Sequence, residues 1–277
     1  MAPIFSPPIP LIQRRYGVWE PTLGGMPISE EAIQYFKELF HERKSRFHTL
    51  DPELGEIYVN FAYGEVITSS TRIDTHTRLM LHLAALVSSG GEEMYKVMLE
   101  GALNVGVSAV EIKEILYQAV AYVGMGRIYD FLRITNNELM RRDEKLPLPA
   151  QSTTTRETRM EEGDKILRTI FGDEAIDATA TDTPDDQQVM LNFLRGNCFG
   201  DIYTRSGIDI KTRELLTLVM LVSMGGCEAQ LRGHINGNLN VGNDRALLIE
   251  TIIQLLPLIG YPRTLNGLRV VTENTDS

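Results

Sequence analysis

Cysteine is scarce in this 277-residue chain: there are two, Cys198 and Cys227, beside a single tryptophan. Two cysteines build no disulfide framework, which points to a reducing compartment. Basic charge is in deficit. Acidic side chains number 37 against 27 basic ones, for a net charge of −10 and a pI near 5.1. That balance excludes a broad nucleic-acid or anionic-membrane surface. The longest apolar runs, 79–87 and 215–222, are too short to cross a bilayer. The opening stretch MAPIFSPPIPLIQRRYG has no continuous apolar core of a secretory signal. A soluble cytoplasmic protein, with neither nucleic acid nor membrane as partner, is the expectation. No segment sustains period-two alternation, and a Gly-rich phosphate loop, a Walker pattern and HExxH are all missing. His41, His48, His76 and His82 have no metal-ligand spacing with a cysteine, so no metal is expected.

What the chain does have is a 43% apolar composition and one segment carried twice. DTHTRLMLHLAALVSSGG (Asp74–Gly91) aligns without gaps on DIKTRELLTLVMLVSMGG (Asp209–Gly226). After a one-residue slip, GALNVG (Gly101–Gly106) falls on GNLNVG (Gly237–Gly242), and Gly124 and Arg127 fall on Gly260 and Arg263. Each copy reads as helices. Asp51-Pro52 starts one, with Leu54, Ile57, Tyr58 and Phe61 as an apolar stripe. Asp74 and Asp209 cap helices that are apolar all round and therefore expected to be buried. Ser108 with Glu111 is a capping box before another apolar stripe, Glu228–Val241 is a short helix, and Pro257 should kink or end the helix that follows.

The expected organisation is all-α. An N-terminal arm and extra helix occupy 1–50, a first repeat with a degenerate site 51–142, a linker 143–158 and a site-bearing second repeat 159–277. Arm and extra helix are assigned to packing or oligomer contact.

The two copies differ in chemistry. Cys227, at the Gly225-Gly226 turn, opens a helix, where unpaired N–H groups and the macrodipole favour thiolate. Gln230 and His234 lie on the same face of that helix. The rise from Cys227 to His234 is about 10 Å, so Gln230 or a group from another helix must bridge them. Glu214, in an otherwise apolar helix, is the candidate, since a buried acid needs a partner. Taken singly, Cys227 reads as a small core residue, His234 as a satisfied surface or core group, and Glu214 as a partner of Arg213 or Lys211. Leu79 and Glu92 stand where the second copy has Glu214 and Cys227, and Met98 or Leu99 where it has His234. Joint presence in one copy and joint absence from the other favours a site retained after duplication. Cys198 and His82 are assigned structural roles.

YTRSGIDIKTRELLTLVMLVSMGGCEAQLRGHINGNLNVG (Tyr203–Gly242) with IGYPRTLNGLRVV (Ile259–Val271) resembles the carboxymuconolactone decarboxylase family, within the alkylhydroperoxidase D superfamily. The resemblance spans about 160–272 and, more weakly, 55–142. It implies an all-helical fold assembling as a ring of six repeats, hence a homotrimer for a two-repeat chain. In the peroxidase branch a Glu, a Cys-x-x-Cys and a His form a proton relay. Glu214, Cys227 and His234 match it, but Gln230 replaces the second cysteine, so an internal disulfide cycle cannot run.

The resemblance therefore implies a cofactor-independent decarboxylase of a small carboxylated lactone or β-keto-acid-like substrate. His234 is the expected proton donor, Glu214 its tuner and Cys227 a proton carrier or polar contact. Arg205, with Arg213 and Gln230, is the expected holder of substrate. A one-cysteine thiol peroxidase or reductase and a non-catalytic ligand-binding or assembly module are the alternatives.

Overall fold

The computed structural model describes residues 27–41 and 50–275. The arm up to residue 26 and residues 42–49 of the expected extra helix lie outside the described residues. All regular elements among the described residues are helical. The first half contains α1 (Glu30–Phe40), α2 (Pro52–Val59, running on through a π-helical turn at Asn60–Glu65), α3 (Thr75–Ser89), α4 (Glu92–Asn104), α5 (Ala109–Val123) and α6 (Met125–Arg141). The second contains α7 (Arg159–Phe171), α8 (Asp173–Asp182), α9 (Gln188–Phe193, running on through a π-helical stretch at Leu194–Tyr203), α10 (Ile210–Met224), α11 (Glu228–Asn240), α12 (Arg245–Gln254) and α13 (Leu256–Thr275). No helix among the described residues is long and apolar enough to cross a membrane.

Local signals account for several helix ends. The Asp74 and Asp209 carboxylates accept from the Thr77 and Thr212 amides, and Ser108 and Glu111 form the full capping box. Helix α12 ends before Pro257, and the sharper break falls at Gly260, where φ is +77°. The linker is an extended strap tied to the second half: the Ser206 amide donates to Gln151 O (3.0 Å), and the Thr154 hydroxyl to Gly200 O (2.9 Å).

The all-round apolar helices α3 and α10 pack on each other at the centre, and one continuous core crosses both repeats. Reciprocal polar contacts join the halves. Arg78 of α3 donates to Gln254 of α12 (2.8 Å), and Arg213 of α10 donates to Gln118 of α5 (3.2 Å). This exchange makes the two repeats one folding unit, since neither buries its central helix alone.

Two expectations change. Helix α1 is not an addition to the first repeat but the counterpart of α7. Asn104 donates to Leu39 O (2.7 Å) as Asn240 donates to Ile170 O (2.8 Å), and each helix crosses the π-helical turn of its own half. Of the expected stripe Leu54, Ile57, Tyr58 and Phe61, Leu54 and Ile57 turn away from the core, at 56% and 59% exposed, while Tyr58 packs partly buried against it and Val59, Ala62 and Tyr63 point inward.

Candidate active site

The side chains expected to carry chemistry converge only in part. Glu214, fully buried on α10, accepts a hydrogen bond on Oε2 from His234 Nδ1 of α11 at 2.9 Å. An ionised carboxylate only accepts, so the pair places the ring proton on Nδ1 and leaves Nε2 to exchange protons. Glu214 Oε1 is buried without a partner. Asn238, one turn beyond His234, fastens the two helices by donating to Glu214 O (3.0 Å) and His234 O (2.7 Å). Gly237 lets them approach: a Cβ there would stand 2.7 Å from both Glu214 Oε2 and Ile170 Cγ2. The first repeat packs apolar side chains instead, Leu79 and Met98, both buried.

His234 is 9% exposed, and two aromatic rings meet it edge-on. Phe171 lies 5.3 Å away at 74°, and Tyr122 lies 6.0 Å away at 71°. Phe171 belongs to α7, whereas Tyr122 belongs to α5 of the other repeat. The Tyr122 hydroxyl bonds Tyr203 (2.6 Å), and Thr217 contacts both. Gln118 donates to Thr217 at 2.9 Å. Burial pushes the Tyr122 and Tyr203 phenols well above their ordinary range, and Glu214 adds to the shift. Cys198 lies in the same cluster. Burial, with the Glu214 charge, pushes its thiol up to about 12.

Cys227 stands apart from this pair. It occupies the cap position of α11, partly exposed, and its thiol donates to Leu221 O at 3.2 Å. The expected lowering of its pKa by the helix end is not what the surroundings produce: burial and then the adjacent Glu228 carboxylate raise it. Gln230 is exposed on α11 and does not bridge Cys227 to His234.

The structure places the two arginines elsewhere. Arg205 pairs with Glu114 (2.8 Å) and lies over the Tyr117 ring, while Arg213, fully buried, reaches the other oxygen of Glu114 at 2.8 Å. Both guanidinium groups clamp the repeats together, and the buried Arg213 offers nothing to a ligand. Among the described residues no three His, Cys, Asp or Glu side chains converge as a metal site.

Sequence reasoning missed Tyr122, Tyr203, Thr217 and Phe171. A signal was present for three of them: Leu258, Ile67 and His82 occupy the pseudo-equivalent positions, so the three hydroxyls surround only the site that holds the acid/base pair. His82 Nε2–H itself donates to Gln254 O (3.0 Å), and burial with Arg78 lowers its pKa to about 4.

A family model described as the carboxymuconolactone decarboxylase family matches this chain twice, over residues 52–137 and 189–273. The chain is also 25% identical over 117 residues to a 4-carboxymuconolactone decarboxylase of Acinetobacter baylyi, an alignment covering 42% of this chain and 87% of that relative.

Proposed function

Because the chain belongs to the carboxymuconolactone decarboxylase family, we propose that it is a cofactor-independent carboxy-lyase acting on a small carboxylated lactone or β-keto-acid-like substrate. Family and relative support a decarboxylase-like or alkylhydroperoxidase-like activity. The observation that carries the finer reading is the Glu214–His234 pair at 2.9 Å, present in one repeat only. Loss of CO2 breaks the carbon–carboxylate bond and leaves its electron pair delocalised into the substrate's own carbonyl. His234, protonated at Nε2 from solvent to the imidazolium, delivers that proton to the carbon, returns to its neutral Nδ1–H form and is reprotonated by solvent for the next turnover. The Glu214 charge compensates the imidazolium while it exists.

Cys227 serves as a neutral thiol at the start of α11. Its raised pKa and the glutamine at position 230 both disfavour peroxidase chemistry. For the substrate's remaining carboxylate, Arg263 replaces Arg205 as the cation proposed. It is exposed, lies 3.7 Å from where Gly225 would carry a Cβ, and has no ion pair among the described residues. The test is CO2 release from a γ-lactone carboxylate and from a β-keto acid. Changing His234 to Ala should cost about 100-fold or more. An unchanged rate overturns the reading, and peroxide consumption abolished by Cys227→Ser would install the peroxidase in its place.

The site is proposed to work within a homotrimeric ring. Exposed apolar side chains recur at matching positions of the two repeats: Leu54 and Met190, Ile57 and Phe193, Met125 and Tyr261, Tyr129 and Leu265. Their exposure runs from 51% to 68%, which makes them matched faces in want of cover. Light scattering should give three times the 31.1 kDa chain mass. A monomer at micromolar concentration removes the proposal.

A further inference from the structure

We propose that Tyr122, carried by the repeat that lacks the acid/base pair, is a positioning residue of the His234 site, locked by a closed ring of three hydroxyls. The inference rests on the acid/base reading above, and it makes the degenerate repeat a contributor to turnover.

The ring consists of Tyr122, Tyr203 and Thr217. Tyr122 and Tyr203 are 2.6 Å apart, Thr217 reaches Tyr122 at 3.2 Å, and Tyr203 bonds Thr217. Each hydroxyl has one proton to donate. With Thr217 donating to Tyr122, Tyr122 to Tyr203 and Tyr203 back to Thr217, each proton is used once and the circuit closes. Such a circuit strengthens its own members. Gln118 anchors it from outside. Its Nε2 donates to Thr217 Oγ1 (2.9 Å) and to Arg213 O (2.8 Å), while its Oε1 accepts from Arg213, so the amide cannot turn over. The phenols stay neutral because burial raises them, which leaves no proton to give up at neutral pH.

The consequence falls on His234. An imidazole held only by Glu214 is free to rock about its hydrogen bond. Tyr122 of one repeat and Phe171 of the other both pack on the imidazole and restrict that freedom, their planes at 71° and 74° to the ring. Phe171 is fixed by packing among the residues under α7. Tyr122 is fixed by its hydroxyl. At the pseudo-equivalent site Leu258 and Ile67 replace the two tyrosines, and there the positions of the pair hold Leu79 and Met98. Hydroxyl ring and acid/base pair occur together and are lost together within one chain.

The test uses Tyr122→Phe and Thr217→Val, with Thr217→Ser as the conservative variant, each checked for native helicity. Ring-15N spectra of histidine-labelled protein, with the His234→Gln difference identifying the signal, read the tautomer directly. The intact protein should show one sharp Nδ1–H tautomer for His234. Tyr122→Phe and Thr217→Val should broaden or mix that signal and lower kcat by about tenfold, with KM within about twofold. Thr217→Ser should restore both. An unaltered His234 signal in the two hydroxyl-deleting variants overturns the inference, as does an unaltered kcat. If the intact protein fails to turn over any carboxylated substrate, the decarboxylase reading falls, while the nitrogen spectra still decide the role of Tyr122.

Discussion

Gly237→Ala separates the geometry of the site from the stability of the fold. The added Cβ would stand 2.7 Å from Glu214 Oε2, where ordinary contact begins at 3.4 Å, so the carboxylate or α11 must yield by about 0.7 Å. Ile170 Cγ2 lies equally close on the other side and is fully buried, so the strain cannot be shed into solvent. Overpacking of this kind costs about 1–3 kcal/mol. Alanine in a helix interior returns about 1 kcal/mol relative to glycine. The net loss is about 0–2 kcal/mol, a fall in Tm of a few degrees at about 2 °C per kcal/mol. Displacing the Glu214–His234 pair by most of an ångström should cost about 10–100-fold in kcat. Gly233→Ala is the control on the same helix: nothing lies within 4 Å of its added Cβ, so it should raise stability by about 0.5–1 kcal/mol and leave turnover intact. Calorimetry and initial rates on one substrate read both. Full activity in Gly237→Ala, or an equal loss in Gly233→Ala, would refute the claim that this glycine makes room for the pair.

Cys227→Ser should keep measurable decarboxylation, while Glu214→Gln, assayed on the same substrate, should lose more; a dead serine variant beside a near-normal glutamine variant would promote Cys227 to nucleophile. Since burial and Glu228 raise the Cys227 thiol, iodoacetamide should label it more slowly at pH 7 than a free thiol of ordinary pKa, with the rate climbing as pH rises; rapid labelling would contradict the assigned surroundings. Arg263→Met should raise KM for a carboxylated substrate, whereas Arg205→Met should lower thermal stability by breaking the Glu114 clamp; the reverse pattern would restore Arg205 as the substrate cation. His82 titrates near 4 in the folded protein and near 6.5 when free, so between those values the unfolded chain takes the proton first and stability falls as pH falls. The loss should reach about 3 kcal/mol at most, and His82→Gln should flatten the slope of Tm against pH in that window.

The amino-acid sequence alone determined the duplication, the all-helical class and several of the helix ends. Asp74, Ser108 and Asp209 cap through atoms three residues away, and the buried runs of α3 and α10 announce themselves by having no polar face. It also determined Glu214 as an anomaly, because an acid where the other copy has Leu79 needs a partner wherever the chain runs. Tertiary structure decided which partner. Arg213 adjoins Glu214 in sequence, yet consecutive helical side chains point about 100° apart, and the arginine turns to Glu114, 99 residues earlier. Arg205 follows it to the same carboxylate, across the repeat boundary. The thiol at Cys227 illustrates the same limit: a helix end favours thiolate, but burial and the charge beside it set the direction. Helix α1 keeps a likeness to α7, EEAIQYFKELF lying on EEGDKILRTIF when Leu39 is set on Ile170, but its offset of 131 differs from that of the other helices, and only the fold paired the two. Local hydrogen bonds and periodicity are written in neighbouring residues. Pairings across the repeat boundary depend on which faces the shared core brings together, and only the folded chain chooses those.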